Sequence, residues 1–150
     1  MAKNATKITL GKRPDHFKTE VQCALLEGGT GCMEVKYKYR TRTELAELTD
    51  ELQAKLKDEA NAELERFNAA LTKAKDAGEK LPEFGITQTE IVKREAALNV
   101  EYIMKIVDGW NLDQDFDAEA VAELVDTLPA MAQAVKDKYR AAINEGRLGN

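Results

Sequence analysis

The sequence predicts an α+β protein, mostly helical, with an N-terminal β-hairpin or small three-stranded antiparallel sheet followed by about four helices. Two observations carry this. Before residue 42 apolar and polar residues alternate, the period of a half-buried strand, whereas beyond it apolar residues recur every three or four, the period of a helix face. Helix start and stop residues then divide the remainder into segments.

Thr19 to Leu26 and Met33 to Arg40 read as the two strands, and "EGGTG", Glu27 to Gly31, supplies glycines that accept the positive φ of a tight reversal. Pairing Val21 with Val35, Cys23 with Met33 and Thr19 with Tyr37 makes one face apolar and turns Lys36, Lys38 and Arg40 to the other. Cys23 and Cys32 then lie on opposite faces, which predicts free thiols. "KITL", Lys7 to Leu10, is a candidate third strand beyond the loop "GKRPDH".

Thr41 and Glu44 form a capping-box signature, so the first helix starts there. Its apolar stripe runs through Leu45, Leu48, Leu52, Leu56, Ala60, Leu64, Phe67, Leu71 and Ala74, and Gly78 and Pro82 close it. At 1.5 Å per residue this helix is ~50 Å long, more than a chain of this size needs to cover its own core. Its distal residues, Phe67 and Leu71 among them, are therefore expected to meet another molecule.

Thr87 and Glu90 repeat the capping signal, and a second helix is predicted through Ile91, Leu98, Tyr102, Ile103, Ile106 and Val107 to Asp108 and Gly109. "GWNLDQDFD" reads as a connection. Asp117 caps a third helix, Ala118 to Leu128, and Pro129 is suited to open a fourth, Ala130 to Asn144, with Gly146 as its C-terminal cap. The whole reads as one domain over 1–150: a basic hairpin arm (1–42), a long amphipathic helix (43–80) and a C-terminal helical part (87–150).

The chain has 150 residues and a net charge of −5, with the charge unevenly placed. Residues 1–42 carry nine Lys/Arg against four Asp/Glu, and residues 43–150 carry thirteen against twenty-three. That asymmetry suits head-to-tail self-association or a basic arm that meets something acidic, and the acidic total argues against general nucleic-acid binding. No apolar run approaches the ~18 residues of a membrane span. "MAKNATKITLGK" has no apolar leader segment, so the cytosol is the expected compartment.

Catalysis finds no support. His16 is the only histidine, no nucleophile is marked by a turn motif, and two cysteines with one histidine are too few for a four-ligand zinc site. Asp113, Asp115 and Asp117 alternate like calcium-loop ligands, but Ala118 and Leu124 stand where that loop requires glycine and glutamate. No cofactor or metal is expected. The basic strand end, Lys36, Lys38, Arg40 and Arg42, alternates with Tyr37 and Tyr39, so the aromatic rings point away from the charges. Nucleic-acid grooves instead place both on one face. The four basic residues are read as a partner-facing surface, most directly for another copy, and Trp110 as a core anchor with partner contact as the second reading.

"TLGKRPDHFKTEV", a glycine turn, "EVKYKYRTRTELAEL", then "GWNLDQDF" and "AAINEGRLGN" together resemble the tail assembly chaperones of long-tailed bacteriophages and prophages. The likeness covers Thr9 to about Asp50 and about Val100 to the end, and leaves out the helix from Leu52 to Phe84. It implies a non-catalytic protein of the host bacterial cytoplasm, absent from the mature virion. Such a protein binds the tape measure protein and keeps it soluble until the tail tube polymerises around it, with self-association into oligomers. It also implies a longer frameshifted form, of which this chain resembles the short version. The alternatives are a structural minor tail or tail-completion protein of the virion, and a nucleic-acid-binding regulator that uses the basic arm.

Overall fold

The computed structural model describes residues 5–148; the first four residues of "MAKNATKITLGK" and the last two of "GRLGN" lie outside the described residues. The elements in chain order are β1 (His16–Ala24), β2 (Thr30–Lys38), α1 (Arg42–Ala77), α2 (Gln88–Ile106), β3 (Val107–Trp110), α3 (Ala118–Thr127) and α4 (Pro129–Glu145). The sheet is three-stranded and antiparallel with β2 in the centre, so the predicted fold class stands.

Two strand expectations need correction. The hairpin register is shifted: Val21 faces Met33, Thr19 faces Val35 and Phe17 faces Tyr37. The turn is the reason. Leu25 donates to the Gly29 carbonyl and Gly28 to the Leu25 carbonyl, both at 3.1 Å. With Gly28 and Gly29 at φ 91° and 78°, the apex falls on Glu27 rather than Gly28. A shift of this size preserves side-chain parity, so Phe17, Thr19, Val21, Met33, Val35 and Tyr37 still share the buried face. Cys23 and Cys32 are free thiols.

The third strand is not Lys7–Leu10, which has no regular structure and leaves Ile8 and Leu10 84% and 91% exposed. It is Val107–Trp110, cut from the predicted end of the second helix. Ile103, Ile106 and Val107 fit a helical face equally well; the open edge of β2 captures Val107 in an extended conformation instead. A bulge between Lys36 and Tyr37 leaves Asp108 without a partner in the ladder, which continues through Val35 opposite Trp110. Asn111 extends the pairing, donating to the Glu34 carbonyl at 3.1 Å and accepting from the Glu34 amide at 2.8 Å.

The helices follow their caps. The Thr41–Glu44 capping box is complete, Gly78 ends α1 in the left-handed conformation, Thr87 and Asp117 cap α2 and α3, Pro129 opens α4 and Gly146 closes it. One core joins the inner sheet face to Leu45 and Leu48 of α1, Ile103 and Ile106 of α2, Val121, Leu124 and Val125 of α3, and Met131, Val135, Tyr139 and Ile143 of α4. Only the first two turns of α1 reach its centre. Leu52 packs at its margin, and the stripe beyond it runs past the core.

Candidate functional site

The part of α1 beyond the core lies antiparallel to α2, and charged side chains bridge the two helices. Lys105 meets Glu51 at 3.7 Å, Lys55 meets Glu101 at 3.0 Å, and Arg94 grips Glu63 through two hydrogen bonds of 2.7 Å. Hydrogen bonding to Arg94 holds the Glu63 carboxyl below the usual carboxylate range, and Glu101 raises the Lys55 ammonium above its ordinary value. Both are solvent-screened contacts that set alignment more than stability. The close helix packing is elsewhere, between α2 and both α3 and α4.

Long ionic side chains bridging two helices leave space beneath them. A groove of about 490 Å³ runs between Leu56, Ala60 and Glu63 of α1 and Arg94, Ala97 and Leu98 of α2. A second, of about 200 Å³, shares Leu56 and Leu98 with it and continues past Leu52 to Tyr102 and Arg140. The combined trough follows α1 from Thr49 to Arg66, about 26 Å at the helical rise. Its floor is leucine and alanine, and its rims carry both signs of charge.

Toward the far end the apolar surface continues. Phe67 stacks edge-on against Phe84 of the connecting loop at 4.9 Å, so this predicted contact residue has a partner within its own chain. Leu71 is half-buried nearby in sequence. Phe84 itself stays 65% exposed, and Leu64, Leu81, Ile86 and Val92 each expose close to half of their surface. Leu81, Phe84 and Ile86 are not among the contact residues that the sequence pattern singles out. Their signal was three large apolar residues within six positions.

The basic residues do not act as one cluster. Lys36 lies 3.6 Å from Asp108, the bulged residue of β3, whose carboxylate also contacts His16 at 3.1 Å. Arg40 turns to the Tyr139 hydroxyl at 3.2 Å. Lys38 is half-buried and Arg42 exposed; among the described residues neither forms an ion pair. Arg13, in the loop before β1, binds Glu44 through two hydrogen bonds of 2.7 and 3.0 Å and lies over the Tyr39 ring. Trp110 sits at the core margin, its Nε1 donating to the Gln114 carbonyl at 2.8 Å and its ring edge-on to Phe116. Among the described residues no group of His, Cys, Asp and Glu is placed to hold a metal, and no helix is long and apolar enough to cross a membrane.

The protein so defined presents a helical trough and an exposed apolar arm beside a small sheet. The chain belongs to the phage tail assembly chaperone family, matching it over residues 1–150, and so including the long helix that the resemblance by motif left out. No curated protein and no solved structure gives a significant match. Membership supports a role as a tail assembly chaperone and suggests a non-enzymatic one.

Proposed function

We propose that this chaperone binds the tape measure protein, in the host cytoplasm, by seating apolar faces of that long helical client in the α1–α2 trough. The carrying observation is the trough itself, an apolar-floored channel about 26 Å long that is already open between two helices. A helix laid in a groove is read through anchors three and four residues apart, and Leu52, Leu56, Ala60, Ala97 and Leu98 provide the matching surface. The charged rims keep the open trough soluble and limit how tightly a client is held, which suits a client that the polymerising tube must displace. Copies bound side by side along the client shield its apolar length, and the chaperone leaves before the virion is complete. Nucleic acid and membrane have no part in this reading.

The test is co-expression with the tape measure protein, followed by a pull-down and a solubility assay. Wild type is expected to keep the client soluble and to co-purify with it. Leu56→Glu combined with Ala97→Glu, which fills the trough with like charge at exposed positions, is expected to lose both effects while leaving the melting temperature in place. A client that stays insoluble with wild type, or a variant that works as well as wild type, overturns the proposal. Mass spectrometry of purified particles supplies the second arm, because recovery of the chain at tail stoichiometry assigns it to the virion instead.

A further inference from the structure

We infer that copies of this chain join by strand donation: Lys7–Leu10 of one copy pairs with the free edge of β1 in the next. The inference sharpens the self-association that the charge asymmetry suggests and rests on it, but it does not depend on the identity of the client.

The acceptor is a nine-residue strand whose outer edge has no partner among the described residues. Long regular edges are templates for pairing, and folded proteins usually blunt them with proline, bulges, charged side chains or a covering element; on β1 the charges of Lys18 and Glu20 stand on the exposed face and leave the inner face apolar. β1 contains no proline, and its pairing with β2 is unbroken from His16 to Ala24. Beside this edge lies an open groove of about 710 Å³, lined by Glu20, Val21 and Gln22 of β1 and by Ala134, Asp137 and Ala141 of α4, among others. The two alanines are the informative residues. A strand added next to β1 points every second side chain at α4, and alanine there leaves room for a large one.

The donor has the complementary form. Ile8 and Leu10 alternate with Lys7 and Thr9, have the spacing of one strand face, and stand almost fully exposed with no sheet to join. Seated at the edge, Ile8 and Leu10 cover Ala134 and Ala141, while Lys7 and Thr9 take the outer face. Glu20 lies on that outer face opposite Glu34; Lys18 lies 3.8 Å from Glu34 and Gln22 donates to Glu20, so a lysine at the neighbouring position adds the cation that Glu20 itself lacks among the described residues. Main-chain hydrogen bonds supply affinity in such an addition, and the alternate pockets supply register.

The same segment does not reach its own edge. Asp15 accepts from the Tyr39 amide at 2.9 Å, continuing the β1–β2 ladder, and Arg13 is held to Glu44 at the start of α1. Both contacts draw the loop toward the β2 side, away from the outer edge of β1, so the donation runs between copies. Donor and acceptor are different surfaces, which makes the contact heterologous and lets it propagate along a client instead of closing as a dimer.

The experiment is sedimentation velocity and multi-angle light scattering on the full chain over a concentration series. It compares wild type, a donor-dead Ile8→Asp/Leu10→Asp variant and an acceptor-dead Ala141→Arg variant, with circular dichroism verifying the fold. The wild-type mass is expected to rise with concentration. Each variant alone is expected to weaken association on the order of tenfold or more, because both remove apolar burial at the contact. An equimolar mixture of the two retains one working donor and one working edge and is expected to form a dimer that grows no further. A wild type that stays monomeric overturns self-association itself. A wild type that oligomerises while the variants match it, or while the mixture stays monomeric, overturns strand donation and leaves self-association standing.

Discussion

Tyr37 and Tyr139 clasp the sheet to the last helix from both sides. Their rings lie 5.2 Å apart; the Tyr37 hydroxyl donates to the Val135 carbonyl of α4 at 2.7 Å, and the Tyr139 hydroxyl donates to the Lys38 carbonyl of β2 at 3.0 Å. Phe17 stacks on both rings, so β1, β2 and α4 meet in one aromatic layer. The basic-aromatic stretch Lys36–Arg40 thereby divides its work: Tyr37 fills the core, Tyr39 packs at its margin, and the charges stay outside or pair locally.

Removing one hydroxyl from this clasp isolates a hydrogen bond without emptying the core. Tyr37→Phe is expected to lower stability by about 0.5–1.5 kcal/mol, and Tyr139→Phe by a similar amount. Because the rings touch, the double variant should deviate from additivity by roughly 0.5 kcal/mol or more in urea titrations. Strict additivity would show that the two bonds form independently.

The same pair makes stability depend on high pH. Burial raises the Tyr37 hydroxyl pKa above its ordinary value, helped by the nearby Tyr102 and Tyr139; burial raises Tyr139 as well, opposed by the hydrogen bond from Arg40. The unfolded chain releases these protons near about pH 10, while the folded chain retains them to higher pH. Their contribution is therefore full below that pH and declines as pH rises through the folded values. The urea midpoint is expected to fall between about pH 9 and pH 11, less steeply in Tyr37→Phe. Equal slopes in the two proteins would remove Tyr37 as a cause.

Along α1 the cost of losing a leucine should drop with distance from the sheet. Leu48 is 5% exposed in the core and Leu64 is 50% exposed on the arm. Leu48→Ala is expected to cost ~2–5 kcal/mol. Leu64→Ala should cost less than about 1 kcal/mol. Thermal unfolding of the two variants reads the difference, and similar losses would mean that the arm is packed in solution.

The hairpin turn tests backbone conformation alone. Gly29 has φ 78°, and a Cβ placed there meets nothing within 4 Å, so Gly29→Ala adds no clash. A loss of roughly 1–2 kcal/mol in urea unfolding is expected from the left-handed backbone. At the other end of the hairpin, Thr41→Ala removes the hydroxyl that caps α1 and should cost about 1 kcal/mol. A neutral Gly29→Ala would mean that the turn relaxes to a different type, and the register with it.

Local chemistry by itself determined most of the architecture. Hydroxyl and carboxylate caps, left-handed glycines and a helix-opening proline act within four residues, so Thr41, Gly78, Thr87, Asp117, Pro129 and Gly146 mark the helix ends in the sequence as they do in space. The period change at residue 42 likewise announced the switch from sheet to helix, and the length of α1 announced a surface beyond the core. What only the tertiary structure decided depends on partners far along the chain. Val107 can end a helix or pair with β2, and the open edge chose the strand; hairpin register turned on which glycines took positive φ; Phe84 came to Phe67 because the loop folds back on α1. The trough belongs to the same group, since its two walls come from segments some thirty to fifty-five positions apart, bridged by Glu63 with Arg94 and Glu51 with Lys105. Short-range signals specify elements, whereas the faces left open between them exist only once distant segments have met.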